Sequence, residues 1–410
     1  MPQPKTVILI GAGQRGNAYS AHALSKPDHV KIIGVAEPDD TRRGQFQKKY
    51  QIEEVNCFSS WEDVFKKEKW ADSVFICTQD KMHYQPVMAA IRQGYDILLE
   101  KPISPSKEEC LEIVDAVGKS GVKVVVCHVL RYTPFFSTIK DVVDSGEIGD
   151  IVSVAHNENV WDIHQAHSFV RGNWSVTDDS APMILAKSCH DLDIMQWIMG
   201  KKCLRLSSFG SLQYFCAANA PKNAPARCMD GCAENCPYDA RKLYLESKNE
   251  WFRSVAAGHA NPSNADVEAA LASGPYGRCV FQCDNDVVDH QVVAMEFEGG
   301  ATAMFSMCAF TYDMGRSLKI MGTKGQIKAH ESSDIIKVAS FITRSERDVK
   351  VPRAIGGHGG GDSGIVSAFL EYIDGKQVPS VTEIGVSAQN HSLCFAAEES
   401  RLSGGKMIEL

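Results

Sequence analysis

The chain lacks any excess of positive charge: 43 Lys and Arg stand against 51 Asp and Glu, for a net charge of −8. A broad basic field for nucleic acid is therefore not expected among its surfaces. It also lacks an apolar run long enough to span a bilayer. No basic segment and cleavage site separate MPQPK from the apolar TVILI, so no secretory leader is expected and the cytoplasm is the expected compartment. GKMIEL, at the other end, carries no retention or lipidation signal. What remains is a soluble globular composition, 44% hydrophobic and 23% charged over 410 residues, long enough for two domains or more. Cysteine is not scarce, at 14 residues. Most sit singly in apolar segments (Cys77, Cys127, Cys189, Cys308, Cys394), where free cysteine packs as a small core residue.

KTVILIGAGQRGNAYSAHAL reads as strand, glycine turn and helix, with Gly11, Gly13 and Gly16 spaced G-x-G-x-x-G. The first glycine permits a tight turn, the second a close approach to a pyrophosphate, and the third close helix–strand packing. A second strand, VKIIGVA, ends at Glu37, roughly twenty residues past the last glycine. A carboxylate there accepts hydrogen bonds from ribose hydroxyls and repels a 2′-phosphate, which favours NAD over NADP. Strand-like ADSVFICTQ, YDILLEKP and VKVVVCHVL alternate with helical WEDVFKKEKW, HYQPVMAAIRQG and SKEECLEIVDAVGKSG. Such alternation predicts an α/β domain over residues 1–127, a doubly wound parallel Rossmann sheet. Its strand ends carry Gly11, Glu37, Thr78, Gln79, Glu100, Lys101 and His128, where a cofactor would lie.

A lysine at a strand end beside a dinucleotide, as in LLEKPIS, can serve as general base. Together with GAGQRG, TQDKMHYQPVMAAIRQGYDILLEKPIS, RYTPFF, GEIGDI and HDLDIMQWIMG, it makes nearly the whole chain resemble the Gfo/Idh/MocA family of NAD(P)-dependent sugar and polyol oxidoreductases. The resemblance implies that Gly11, Gly13, Gln14, Arg15 and Gly16 hold the pyrophosphate and Glu37 the adenosine ribose. It places Thr78, Gln79 and His83 along the path to the nicotinamide. Glu100 and Lys101 would approach the nicotinamide ribose and substrate, with Arg131 close by. It makes Lys101 and His190 the groups that manage the proton during hydride transfer.

One departure stands out within ILAKSCHDLDIM, which reads as a single helix with Lys187 and His190 on a common side. Where inositol-dehydrogenase-like members carry an aspartate four residues before the histidine, this chain has Ala186. Lys187 is a candidate replacement proton carrier; the alternative is an i,i+4 ion pair with Asp191.

Residues 128–410 read as an α+β substrate and oligomerisation domain with a mostly antiparallel open sheet. EFEGGATAMFS is a hairpin signal within it. HNENVWDIHQAHSFVRGNW supplies His156, Asn157, Trp161, His164, His167, Arg171 and Trp174 as sugar-site candidates, because aromatic faces and hydrogen-bonding groups suit a carbohydrate. His128 joins them, and GHGGGDSG offers His358 and Asp362, with a plain flexible turn as its competing reading. Residues of about 216–286 interrupt the family pattern and carry Cys228, Cys232, Cys236, Cys279 and Cys283 in C-x3-C spacings. Such clustering suggests structural zinc more than disulfides. The spacing is not C-x2-C, however, and buried thiols in a helical insertion are the preferred reading, so no metal is assigned. With Tyr238, Arg241 and Tyr244 nearby, the insertion could form a lid over the sugar.

The expected function is NAD-dependent oxidation of a secondary hydroxyl of a sugar, glycoside or polyol in a homodimer or homotetramer, with no nucleic-acid or membrane partner. The alternative is an NAD-requiring glycosidase that works by transient oxidation, elimination, hydration and re-reduction.

Overall fold

The alternating apolar runs near the amino terminus form one parallel sheet. In the computed structural model, which describes residues 3–232, 235–353 and 356–410, its strands are β1 (Lys5–Ile10), β2 (Val30–Ala36), β3 (Cys57–Phe58), β4 (Ser73–Ile76), β5 (Asp96–Leu99) and β6 (Val124–Val126). They lie in the order β3-β2-β1-β4-β5-β6, with every neighbouring pair parallel. The order reverses at β1 and β4, which opens a crevice for a dinucleotide beyond their carboxyl ends. Alternate residues feed two cores. Ile8, Ile10, Val74, Ile76, Ile97 and Leu99 face one side; Val7, Leu9, Phe75, Leu98 and Val125 face the other. The second side is covered in part by Ile365, Val366, Phe369 and Leu370, which belong to the helix Gly361–Ile373 near the far end of the chain.

The second sheet contains β7 (Ile151–Asn159), β8 (Cys203–Ser211), β9 (His290–Phe297), β10 (Thr302–Cys308), β11 (Gly315–Gly322), β12 (Gly325–His330), β13 (Ile335–Ser340), β14 (Ser345–Lys350) and β15 (Ile408–Glu409). Its order is β14-β13-β12-β11-β7-β10-β9-β8-β15. Only β7 and β10 run parallel; the other pairs are antiparallel. EFEGGATAMFS does form a hairpin, β9 to β10, with Gly299 and Gly300 both at positive φ. One face of this sheet packs Val154, Phe305 and Ile320 against Phe136, Leu192, Met195 and Leu393 of the helices Pro134–Asp144, Cys189–Met199 and Ile384–Leu402.

Two expected helices are shorter or broken. WEDVFKKEKW is α-helical only over Trp61–Val64. Beyond Val64 the run Lys66–Lys69 has no apolar stripe to bury, and Trp70 lies across Gly34, where a Cβ would meet its ring at 2.3 Å. ILAKSCHDLDIM is two helices, Met183–Ala186 and Cys189–Met199. The chain turns at Lys187 and Ser188, so Lys187 and His190 do not share a helix.

Arg131 ties these layers together. Its guanidinium donates to both carboxylate oxygens of Asp193, at 2.7 and 2.6 Å, and Asn390 donates to the same carboxylate. Arg131 is 4% exposed and Asp193 0%. Removing one member of such a pair leaves a buried charge without an answer. We expect Asp193→Ala to lower unfolding stability by about 3–5 kcal/mol, read from urea denaturation; a loss below about 1 kcal/mol would mean the pair behaves as a surface contact.

Candidate active site

Gly11 stands at φ +92, and a Cβ there would meet the Cys77 carbonyl oxygen at 2.6 Å. At Gly16 a Cβ would meet the Gly11 oxygen at 2.1 Å, whereas at Gly13 it would meet nothing within 4 Å. Two glycines thus close the turn, and the middle one leaves its outer face open. The helix Gln14–Ser25 begins there with no side chain capping it, so its first amides remain available to an anion. Glu37 is 4% exposed; its Oε2 accepts the Ala12 N–H at 2.8 Å and its Oε1 the Asp39 N–H at 3.1 Å. The loop, the open glycine and the buried carboxylate beside it suit NAD, whose chemistry here is hydride acceptance.

Arg15 is not aimed at that loop. Its guanidinium donates to Glu100 at 2.7 Å and to Asp362 at 2.7 Å, and it contacts Tyr19 and His358. Its side chain is thus committed away from the expected pyrophosphate, and His358 and Asp362 serve this cluster. Burial pushes the Glu100 carboxyl up, but Arg15 and Lys101 outweigh it and the group lies below the usual range. His83 is fully buried and spans the Pro102 and Thr78 carbonyls at 2.6 and 3.1 Å, so it shapes the strand ends and does not face a ligand. Thr78 is half-buried with its hydroxyl on Met82, and Gln79 is exposed at the strand end. Arg131, also expected near the cofactor, is consumed by Asp193.

Lys101 leaves β5 and crosses to the second domain, where its ammonium donates to the Ala186 carbonyl at 2.6 Å. The turn after Ala186 frees that carbonyl from helical bonding. His190 follows it by four residues and is held well below the usual imidazole range by burial, by Lys101 and by His128. The His128 ring stands edge-on to His190 with centroids 5.8 Å apart, and 5.7 Å from His391 on its other side. His128 is 0% exposed, which places it behind His190 and away from a substrate. Asp80 is buried beside Lys101 and His83, with burial raising its carboxyl.

Lys187 does not pair with Asp191. Its ammonium lies 3.0 Å from Glu158 Oε1 on β7. Arg316 joins Glu158 to Asp191, with Nε 2.8 Å from an oxygen of each, and His156 meets Asp191 at 2.8 Å. Burial raises the Glu158 carboxyl against Arg316 and Lys187; at Asp191, burial is overcome by Arg316 and His156, and the group is strongly lowered. Glu158 was absent from the sequence-based site. The alternation of β7 could have found it, because His156 and Glu158 share the buried face while Asn157 points the other way.

Asn157 accordingly donates to Ser317 on the opposite face, at 3.0 Å. Trp161 packs toward Phe252. His164 lies against Trp251, with ring centroids 5.6 Å apart, and feels the Lys187 charge. His167 bonds Tyr244 and stacks on Tyr276. Arg171 turns into the insertion, onto the carbonyls of Arg278 and Tyr238. Trp174 packs on Phe169. Of the substrate candidates, His164 lies near Lys187 and Trp174 near Asp80. Tyr238, Arg241 and Tyr244 bond within the insertion or to the segment beneath it. Its reach toward the cofactor comes from Trp251, whose indole N–H donates to Gln14 at 3.3 Å.

Fold and site together define a two-domain, dinucleotide-dependent oxidoreductase. Residues 5–128 match the oxidoreductase family with NAD-binding Rossmann fold, and residues 140–391 match that family's C-terminal alpha/beta domain. The chain belongs to the Gfo/Idh/MocA oxidoreductase family and binds NAD. It is 26% identical over 378 residues to a Bacillus subtilis (strain 168) protein named as an oxidoreductase, YteT, covering 87% of this chain and 86% of that one. It is 26% identical over 194 residues to the Escherichia coli (strain K12) 2,7-anhydro-N-acetylneuraminate hydratase, covering 47% and 49% of the two chains. The fold matches that of an inositol dehydrogenase homolog from Azotobacter vinelandii complexed with NAD+, with a TM-score of 0.71, 14% identity and coverage of 100% and 98%. Among the described residues no helix is long and apolar enough to cross a membrane.

Two outcomes follow from this geometry. Glu37→Ser should raise the Kd for NAD at least tenfold, about 1.4 kcal/mol, and narrow the preference over NADP; unchanged calorimetric titrations would remove Glu37 from the site. Burial lowers His164, His167 and His391 to about 3 and His22 to about 4. The unfolded chain takes those protons near pH 6.5 and the folded chain only near 3–4, so stability is full above about pH 6.5 and falls as pH drops below it. The urea midpoint should decline between about pH 6.5 and pH 5; a flat profile there would contradict the assignment.

Proposed function

We propose that the chain oxidises a secondary hydroxyl carbon of a sugar, glycoside or polyol, with hydride passing to NAD. The observation that carries this reading is the crossing of Lys101 from β5 to the Ala186 carbonyl, at 2.6 Å and four residues before His190. Two groups that can manage one proton thereby meet between the domains. Lys101, through its ammonium, donates to the hydroxyl oxygen, and His190, uncharged near neutrality, takes the hydroxyl proton. Gly11, Gly13, Gly16 and the amides of Gln14 and Arg15 hold the pyrophosphate, Glu37 the adenosine ribose, and Thr78, Gln79 and Glu100 the nicotinamide side. His164 and Trp174 border the sugar.

A second reading has its own support. Ala186 removes the orienting carboxylate, while Lys187 and Glu158 bring a further proton-carrying pair beside His164. Such a pair suits a redox-neutral sequence in which transient oxidation acidifies a neighbouring C–H, a group is eliminated, water adds and the hydride returns. One relative is named as a hydratase. In assays with NAD and a panel of sugars and chromogenic glycosides, the first reading requires NADH in proportion to substrate consumed. The second requires aglycone release over many turnovers without net NADH.

Lys101→Ala should retain NAD binding and lose about a hundredfold or more in rate; turnover like that of the unmodified protein would overturn the site. We further infer a homo-oligomer, because Val152, Phe209, Val292 and Met304 are exposed on the outer face of the second sheet; light scattering reads its mass. All 14 cysteines are free, in keeping with a reducing, cytoplasmic compartment.

A further inference from the structure

The inserted segment builds two small apolar clusters and no single core. Phe215, Tyr238, Cys279, Val280 and Phe281 form one; Cys228, Ala240, Tyr244, Phe252, Val267 and Leu271 form the other. Cys228, Cys232, Cys236 and Cys279 line one small cavity together with Arg171. The backbone draws distant parts of the segment to it. Arg227 and Arg278 pair as an antiparallel bridge, the Cys228 N–H donates to the Gly277 carbonyl and the Cys279 N–H to that of Ala226.

Close packing of neutral thiols does not account for this arrangement. Arg171 is 2% exposed. It donates to two backbone carbonyls and, at 3.6 Å, to Cys228 Sγ, while its Nη1 is buried with no partner. Among the described residues no carboxylate pairs with it; Asp239, which also lines the cavity, is taken by Arg241. A buried guanidinium needs a counter-charge. Neutral thiols supply none, whereas four thiolates around a divalent ion carry two net negative charges.

One of the sulfurs already accepts a backbone amide. The Tyr238 N–H donates to Cys236 Sγ at 3.4 Å. Among the described residues no three His, Cys, Asp or Glu side chains form a closed ligand set. The thiols ring the cavity, and an ion would draw them inward.

We propose that Cys228, Cys232, Cys236 and Cys279 hold a structural zinc ion as a tetrathiolate centre, with Arg171 as its buried counter-charge. Binding releases a proton from each thiol and changes no oxidation state. The ion staples both clusters of the insertion to each other and, through Arg171, to the segment Gln165–Arg171 under Trp251. Cys283 lies outside the set, with its thiol on the Cys279 carbonyl at 3.3 Å.

The test is elemental analysis of the full chain, purified without chelator from zinc-supplemented cells. One zinc per chain is expected, lost in Cys236→Ser and Cys279→Ser and kept in Cys283→Ser. Because a ligand variant can fail to fold, the unsubstituted protein is also stripped and reloaded with cobalt, which should give the sulfur-to-metal absorption and intense visible bands of four thiolates. A metal-free protein whose thiols all titrate freely would overturn the proposal, as would zinc retained in both ligand variants. Iron with iron–sulfur absorption in place of zinc would overturn the single-ion assignment.

Discussion

The contact between the Lys101 ammonium and the Ala186 carbonyl sets the spacing between the two sheets at the place where it matters. A lysine leaving a buried strand needs an acceptor, and a backbone carbonyl can offer itself only where helical bonding has stopped. The turn at Lys187 and Ser188 provides that stop. Had the helix run on, the Ala186 carbonyl would bond the His190 N–H, and Lys101 would lose its anchor in the second domain. The same turn lets Lys187 leave the helix line and reach β7. A local break in secondary structure therefore fixes Lys101, Lys187 and the start of the helix that carries His190.

Around that point, burial is tolerated because charge is matched. Glu158 and Asp191 face Arg316 and Lys187, so the formal charges cancel when His156 is neutral. Arg131 and Asp193 cancel in the same way, as do Arg15 and its carboxylates in part. Pairs of this kind add little stability over apolar packing, yet losing one partner is costly. They fix which helix lies over which strand more than they strengthen the fold.

What was legible in the sequence was local. The glycine spacing, Glu37 and the strand–helix alternation depend on neighbours a few residues apart, and Lys101 and His190 lie in segments whose family pattern is recognisable. Arg15 and Arg131 were read as facing the cofactor because the family resemblance assigns those positions to it. Their carboxylate partners lie 85 and 347 residues from Arg15 and 62 from Arg131 in sequence, distances over which no periodicity carries information. Asn157 and Glu158 illustrate a different limit. The strand was evident, but its parity decides which side chains face inward, and polar composition alone gave Asn157 preference. Arg171 looked like a sugar ligand for the same reason, although its surroundings are supplied by the insertion.

The parallel sheet is not finished by the residues that form it. Helix Gly361–Ile373 covers one of its faces, and the Val126 N–H donates to Thr382. During synthesis the cofactor-binding domain therefore emerges with part of that face still wet, including Phe75, against which Phe369 packs, until the late helix is made. Chains are made over many seconds, and apolar surface exposed for that long invites association with other nascent chains. The order of translation thus runs against the order of assembly: the first domain to be made is the last to be sealed.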